Sequence, residues 1–194
     1  MNRIRLTSLA VAALCAGLAT PTAFAQNAGQ NNAAGNRPAA ASAADAAPVD
    51  DRGFVAKAAV GGLAEVQLGE LAQRNGASSQ VKQFGAQMVR DHGKANEELK
   101  GIASAKAIQP PAQLDAKHAE LSARLQKLSG AEFDREYVRA MLDAHKADVA
   151  LFERQAANGR DAELKAFAQK TLPTLRQHLA HVQGLSASMG GARP

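Results

Sequence analysis

The chain has one cysteine, Cys15, in 194 residues. It lies in an N-terminal stretch with the pattern of an export signal. Arg3 and Arg5 make a basic start, residues 6–18 form an apolar run, and Ala23-Phe24-Ala25 predicts cleavage before Gln26. Leu14 stands where lipoprotein processing at Cys15 needs a small residue. The exported chain is therefore expected to hold no disulfide and no thiolate, which excludes cysteine nucleophiles and thiolate metal sites. Long apolar runs are missing too, since the signal segment is shorter than the ~20 residues of a membrane span. No segment alternates like a strand, so the class is all-α. No glycine-rich phosphate loop is present, because Gly61-Gly62 falls inside a helical pattern. Nor does any basic run interleave with aromatics. The formal charge of +5 falls by two when Arg3 and Arg5 leave, and acids alternate with bases along the helices. That is a solvated mixed surface, so nucleic acid is not an expected partner.

Between the signal and the helices, alanine supplies ten of the 25 residues 26–50, and Asn, Gln, Gly and Pro ten more. With Val49 as the one larger apolar side chain, the segment buries too little to offset its ordering entropy and is read as a disordered tether. The folded domain is expected over 52–188, with 189–194 as a tail. Four long helices are predicted at about 52–74, 79–105, 131–157 and 161–188, and a short one at 115–128. Helix two carries Val81, Gly85, Met88, His92, Ala95, Leu99 and Ile102 at alternating four- and three-residue steps, a bundle seam. The last helix repeats that step through Leu164, Ala168, Thr171, Leu175, His178, Val182, Leu185 and Met189, with Pro173 expected to kink it or remove one backbone bond. The 131–157 helix reads through Phe133, Tyr137, Ala140 or Met141, Ala144, Ala147 or Asp148, and Leu151. The first helix reads through Phe54, Ala58, Gly62, Glu65, Val66, Gly69 and Ala72. Short turns join helices one and two, and also the last two, so each pair is an antiparallel hairpin. The roughly 25 residues between the pairs suit a crossover along the bundle, as in ferritin-like four-helix folds; a five-helix packing is the alternative.

Phe54-Val55-x-Lys57-Ala58-Ala59, Gly62-Leu63-Ala64-Glu65-Val66, Met88-Val89-x-Asp91-His92, Leu128-Ser129-Gly130-x-x-Phe133-Asp134-x-x-Tyr137, His145 and Leu172-Pro173-x-Leu175-x-x-His178-Leu179 are the most distinctive groupings. In combination, over about 52–185, they resemble the exported bacterial family called domain of unknown function 4142. The resemblance implies a ferritin-like helical bundle, in a family whose members carry membrane or outer-membrane labels without an established activity. Di-iron ferritin-like proteins use Glu-x-x-His on two helices. No helix here carries that motif at the expected depth, which argues against an oxidase or iron-storage centre.

The functional clue is polar residues on faces that should be apolar. Counting from the turns at Gly76 and Gly159 puts Glu65, His92, His145 and His178 at ~17, ~24, ~21 and ~29 Å, all near the middle of a ~40 Å bundle. The first reading is a buried histidine–carboxylate network that sets helix register, with Glu65, Asp91, Asp148 and Tyr137 satisfying the imidazoles. It makes the protein a non-catalytic envelope or stress-related module. The second reading is one transition-metal ion, iron, copper or zinc, ligated by Glu65, His92, His145 and His178, with Asp91, Asp148 and Tyr137 behind them. Met88 and Met141 each sit four residues before a histidine, which favours copper within that reading. His118 lies on the crossover, and His181 points away from the His178 seam. Ser78 and Ser79 read as caps, and no substrate cleft is evident. A periplasmic or exported location is expected, peripheral to the outer membrane at most. An envelope component or a second copy is the expected partner.

Overall fold

A computed structural model describes residues 50–190. The signal segment, residues 26–49 of the tether and residues 191–194 lie outside them. Five helices follow: α1 (Asp51–Asn75), α2 (Ser79–Ala105), α3 (Ala116–Gln126), α4 (Gly130–Asn158) and α5 (Ala162–Gly190). Among the described residues there is no strand, only an isolated bridge between Gly76 and Gly130. Each start has a local cause. Asp50, Ser78 and Asp115 accept backbone N–H bonds at the heads of α1, α2 and α3, and Asp161 does so for α5. Such caps contribute about 1 kcal/mol each. α4 begins differently. Ser129 makes no side-chain cap, and Gly130 turns the chain at φ 64°, a conformation that glycine adopts without steric cost. α5 runs on through Pro173.

The ends of the helices show the topology. Asp134 near the start of α4 accepts from the backbone of Ala77 and Ser78 at 3.0 and 2.8 Å, and Asn75 donates to the Leu128 carbonyl. The α1–α2 turn and the start of α4 therefore share one end of the bundle. At the other end Asp51 accepts from Gln155 and from the backbone of Asp161, and Lys106 reaches Asp161 and Glu163. The chain leaves α2 at one end and enters α4 at the other, so the connection containing α3 is a true crossover. α2 and α4 run parallel, as the ferritin-like arrangement requires.

Two apolar clusters fill the interior. One gathers Leu68, Phe84, Met88, Phe133, Tyr137 and Val182; the other gathers Phe54, Leu99, Phe152, Leu164, Phe167 and Leu175. On all four long helices a polar residue separates the two blocks: Glu65, His92, His145 and His178. The expected seams shift at two places. On α4 the buried positions are Met141 and His145, whereas Ala140 and Ala144 are half-buried and Ala147 is exposed. On α1 Leu68 and Leu71 are buried and Val66 only half-buried, because α1 packs against α2, α4 and α3 and needs a broader face than one stripe.

Gly69 and Gly85 bring α1 and α2 into close approach. A Cβ on Gly69 would lie 2.6 Å from the Gly85 carbonyl oxygen, and one on Gly85 equally near the Gly69 oxygen. Alanine at either position is expected to destabilise by about 1–3 kcal/mol, although it is the better helix former. Gly93→Ala, where nothing lies within 4 Å, is expected to stabilise slightly. Urea unfolding of the three variants checks the contrast.

Candidate metal centre

The polar layer forms because each of its residues occupies a core position at the same height on a different helix. Glu65 is 2 % exposed, and His145 and His178 are fully buried. The three imidazole rings of His92, His145 and His178 stand 5.3–5.5 Å apart, centroid to centroid. One nitrogen from each lies within 4.8 Å of one from each of the others. Phe84 packs beside His145 and His178.

Hydrogen bonds fix the ring orientations. His92 Nδ1–H donates to Glu65 Oε2 at 2.7 Å. His145 Nδ1–H donates to the Met141 carbonyl at 3.0 Å, with Glu65 Oε1 farther off at 3.4 Å. His178 Nε2–H donates to Asp91 Oδ2 at 2.9 Å. Each ring thus spends one nitrogen on an outer acceptor. The other nitrogens, His92 Nε2, His145 Nε2 and His178 Nδ1, are buried and have no hydrogen-bond partner among the described residues.

Burial governs the charges. It pushes His92 down to about 4, against a smaller upward pull from Asp148 and Asp91. It lowers His145 against the attraction of Glu65, and His178 against its bond to Asp91. All three rings are therefore neutral at pH 7 and present lone pairs. Glu65 and Asp148 are both raised by burial, and the negative charge of Glu65 raises Asp148 further. Burial and mutual repulsion thus push both carboxyls toward their neutral forms.

The four residues expected to converge do converge, but in two ranks. The histidines face one another, and Glu65 stands behind them as the acceptor for His92. Asp91 supports His178, and Asp148 stands near Glu65. Met141 supports His145 through its backbone carbonyl, and Met88 lies in the apolar cluster beside the layer. Tyr137 is buried with its hydroxyl unpartnered; burial and Glu65 push its phenol up, so it stays neutral. His118 is bonded to Asp115, and His181 faces Gln87 and the Phe84 ring. Missed by the sequence patterns were the Met141 carbonyl, which no side-chain motif marks, and Asn96, one turn beyond His92. Asn96 and Thr171 help line a cavity of about 20 Å³ beside Glu65 and His92. An open groove of about 750 Å³ between α1, α3 and α4 was also missed. Small residues make it: Gly61 and Ala64 face Ala144 and Ala147, and the short α3 does not fill the space.

Three neutral imidazoles, each anchored through one nitrogen, are a donor set that could hold a metal ion. Among the described residues no helix is long and apolar enough to cross a membrane.

Comparison with known proteins supports the fold. A fragment of a DUF305 protein from Deinococcus radiodurans is 14% identical, with a TM-score of 0.63, covering 73% of this chain and 99% of its own. A DUF305 protein from Streptomyces coelicolor is also 14% identical, with a TM-score of 0.62, covering 72% of this chain and 92% of its own. CopM in the Cu(II)-bound form is 16% identical, with a TM-score of 0.62, covering 73% of this chain and 99% of its own. No curated protein matches the sequence. The family described as Domain of unknown function (DUF4142) matches residues 35–185, most of the chain, and the protein belongs to that family.

Proposed function

We propose that this protein is an exported, non-catalytic metal-binding module that holds one transition-metal ion on His92, His145 and His178. One observation carries the reading: three buried imidazoles turn one N–H each onto an outer acceptor and leave their remaining nitrogens unpartnered, on rings so close that one nitrogen of each lies within 4.8 Å of one on the others. An unmet buried acceptor costs ~1–3 kcal/mol. A register-setting network accounts for the outer bonds and leaves the inner nitrogens unexplained. A cation uses all three as ligands. Glu65, Asp91 and the Met141 carbonyl then orient the rings and raise their basicity. In this reading Glu65 supports a ligand and is not one itself.

Copper is the ion the donors favour. Imidazole suits copper, zinc and iron alike, and the divalent series places Cu(II) highest in affinity. The Cu(II)-bound state of the CopM structure, which shares this fold, supports the same choice. The test uses untagged protein beginning at Gln26, purified without chelator. Mass spectrometry is expected to find near-stoichiometric metal, and copper is expected to displace zinc on titration. Failure to take up copper, zinc or iron, even under anaerobic loading, would sink the reading.

A further inference from the structure

The triad is sealed inside the bundle, so an ion needs a way in. Two cavities lie beside it. The open groove of about 750 Å³ runs between α1, α3 and α4. The inner cavity of about 20 Å³, large enough for one water-sized guest, lies against His92. Among the residues that line either one, Glu65 and Asp148 alone line both. They are the side chains that the two cavities share. Glu65 is buried and bonded to His92, while Asp148 is half-buried and faces the groove.

We infer that Glu65 and Asp148 are the gate through which the cation reaches the triad, with the α1–α3–α4 groove as its access route. The inference rests on the metal-site reading and adds the path to it. Carboxylate oxygens are suitable transient ligands for a partly dehydrated divalent cation, and these two hand it directly to His92. Charged side chains of both signs line the groove. Five basic side chains line it, Lys57, Lys117, Arg124, Arg139 and Arg154, and all are exposed at the rim. Three exposed acidic side chains stand among them, Asp115, Glu120 and Asp143, and the two carboxyl groups at the floor, Glu65 and Asp148, offer oxygen donors to a cation.

Gly61 gives a steric test that alters neither ligand nor carboxylate. It lines the groove, and a Cβ placed on it would meet Asp148 Oδ1 at 3.5 Å, an ordinary contact. Gly61→Leu plugs the floor of the groove and improves helix propensity, so the bundle is expected to fold. Gly101→Leu, on an exposed face with nothing within 4 Å, is the control. Asp148→Asn keeps the bulk and takes away the carboxyl oxygen that would ligate a passing cation. Copper uptake by metal-free protein is followed by stopped flow, and metal content at equilibrium is measured on the same samples. Gly61→Leu and Asp148→Asn are each expected to slow uptake at least roughly tenfold, with Gly61→Leu reaching the wild-type metal content. Gly101→Leu is expected to load at the wild-type rate. Wild-type uptake kinetics in Gly61→Leu would overturn the route while leaving the site intact. A wild-type protein that takes up no copper would overturn the site and the route together.

Discussion

His145→Leu is expected to abolish tight metal binding and, at the same time, to make the metal-free protein more stable. The ring is fully buried, its Nε2 has no partner, and its Nδ1–H bonds a carbonyl of its own helix four residues back. Leucine fills a similar volume without the unmet acceptor. Removing that acceptor is worth ~1–3 kcal/mol, less whatever the change of shape costs, usually under about 1.5 kcal/mol. Losing one of three ligands is expected to weaken metal binding on the order of 100–1,000-fold. His92→Leu makes an informative contrast. It also removes a ligand, but it strips Glu65 Oε2 of its donor inside the core, so that variant is expected to be less stable. Urea unfolding in chelator, together with competition titration against a copper-binding dye, measures both quantities. A His145→Leu protein that unfolds more easily than wild type while wild type binds no metal would return the triad to a purely architectural role.

Acid is expected to weaken the metal-free protein well before its exposed carboxylates protonate. His92 titrates near 6.5 when unfolded and at about 4 when folded. Between those values the unfolded chain binds a proton that the folded chain refuses. Stability from this group is therefore complete above pH 6.5 and is lost as pH falls toward 4, roughly 3 kcal/mol in all. His145 and His178 are shifted downward as well and add to the same slope. Glu65 and Asp148 act in the opposite sense. Their folded values are raised, so their contribution is present at low pH and is lost as pH climbs. Asp148→Asn removes part of that opposing slope and is expected to steepen the acid limb. Urea midpoints at pH 7, 5.5 and 4.5 in chelator test both statements. A midpoint unchanged down to pH 4.5 would be incompatible with a neutral, buried triad.

The helices were legible because their causes are local. Asp50, Ser78, Asp115 and Asp161 stand where caps must stand, and the alternating four- and three-residue steps through Val81, Met88, His92 and Leu99 mark one face without reference to any neighbour. Loop and helix lengths suited a crossover and left a five-helix packing open; the contacts at the two ends of the bundle decided between them. Where the seam readings slipped, a neighbouring helix was responsible. Leu68 and Leu71 are buried because α1 serves three partners, and on α4 the burial of Met141 in place of Ala140 places His145 at the core.

The site was legible as a set of residues and not as an arrangement. Periodicity and counting from the turns identified Glu65, His92, His145 and His178 as buried and near-level, because depth along a helix is fixed by 1.5 Å per residue. Their roles depend on which way each side chain points across the bundle, and that is set by helix rotation and offset. Only the tertiary structure turned three ring nitrogens toward one another and put Glu65 behind His92. It also used a backbone carbonyl, invisible to any motif, to anchor His145. The groove has the same origin: Gly61, Ala64, Ala144 and Ala147 read as helix formers or packing residues one at a time, and they open a path only when α1 and α4 set them opposite each other beside a helix too short to cover them.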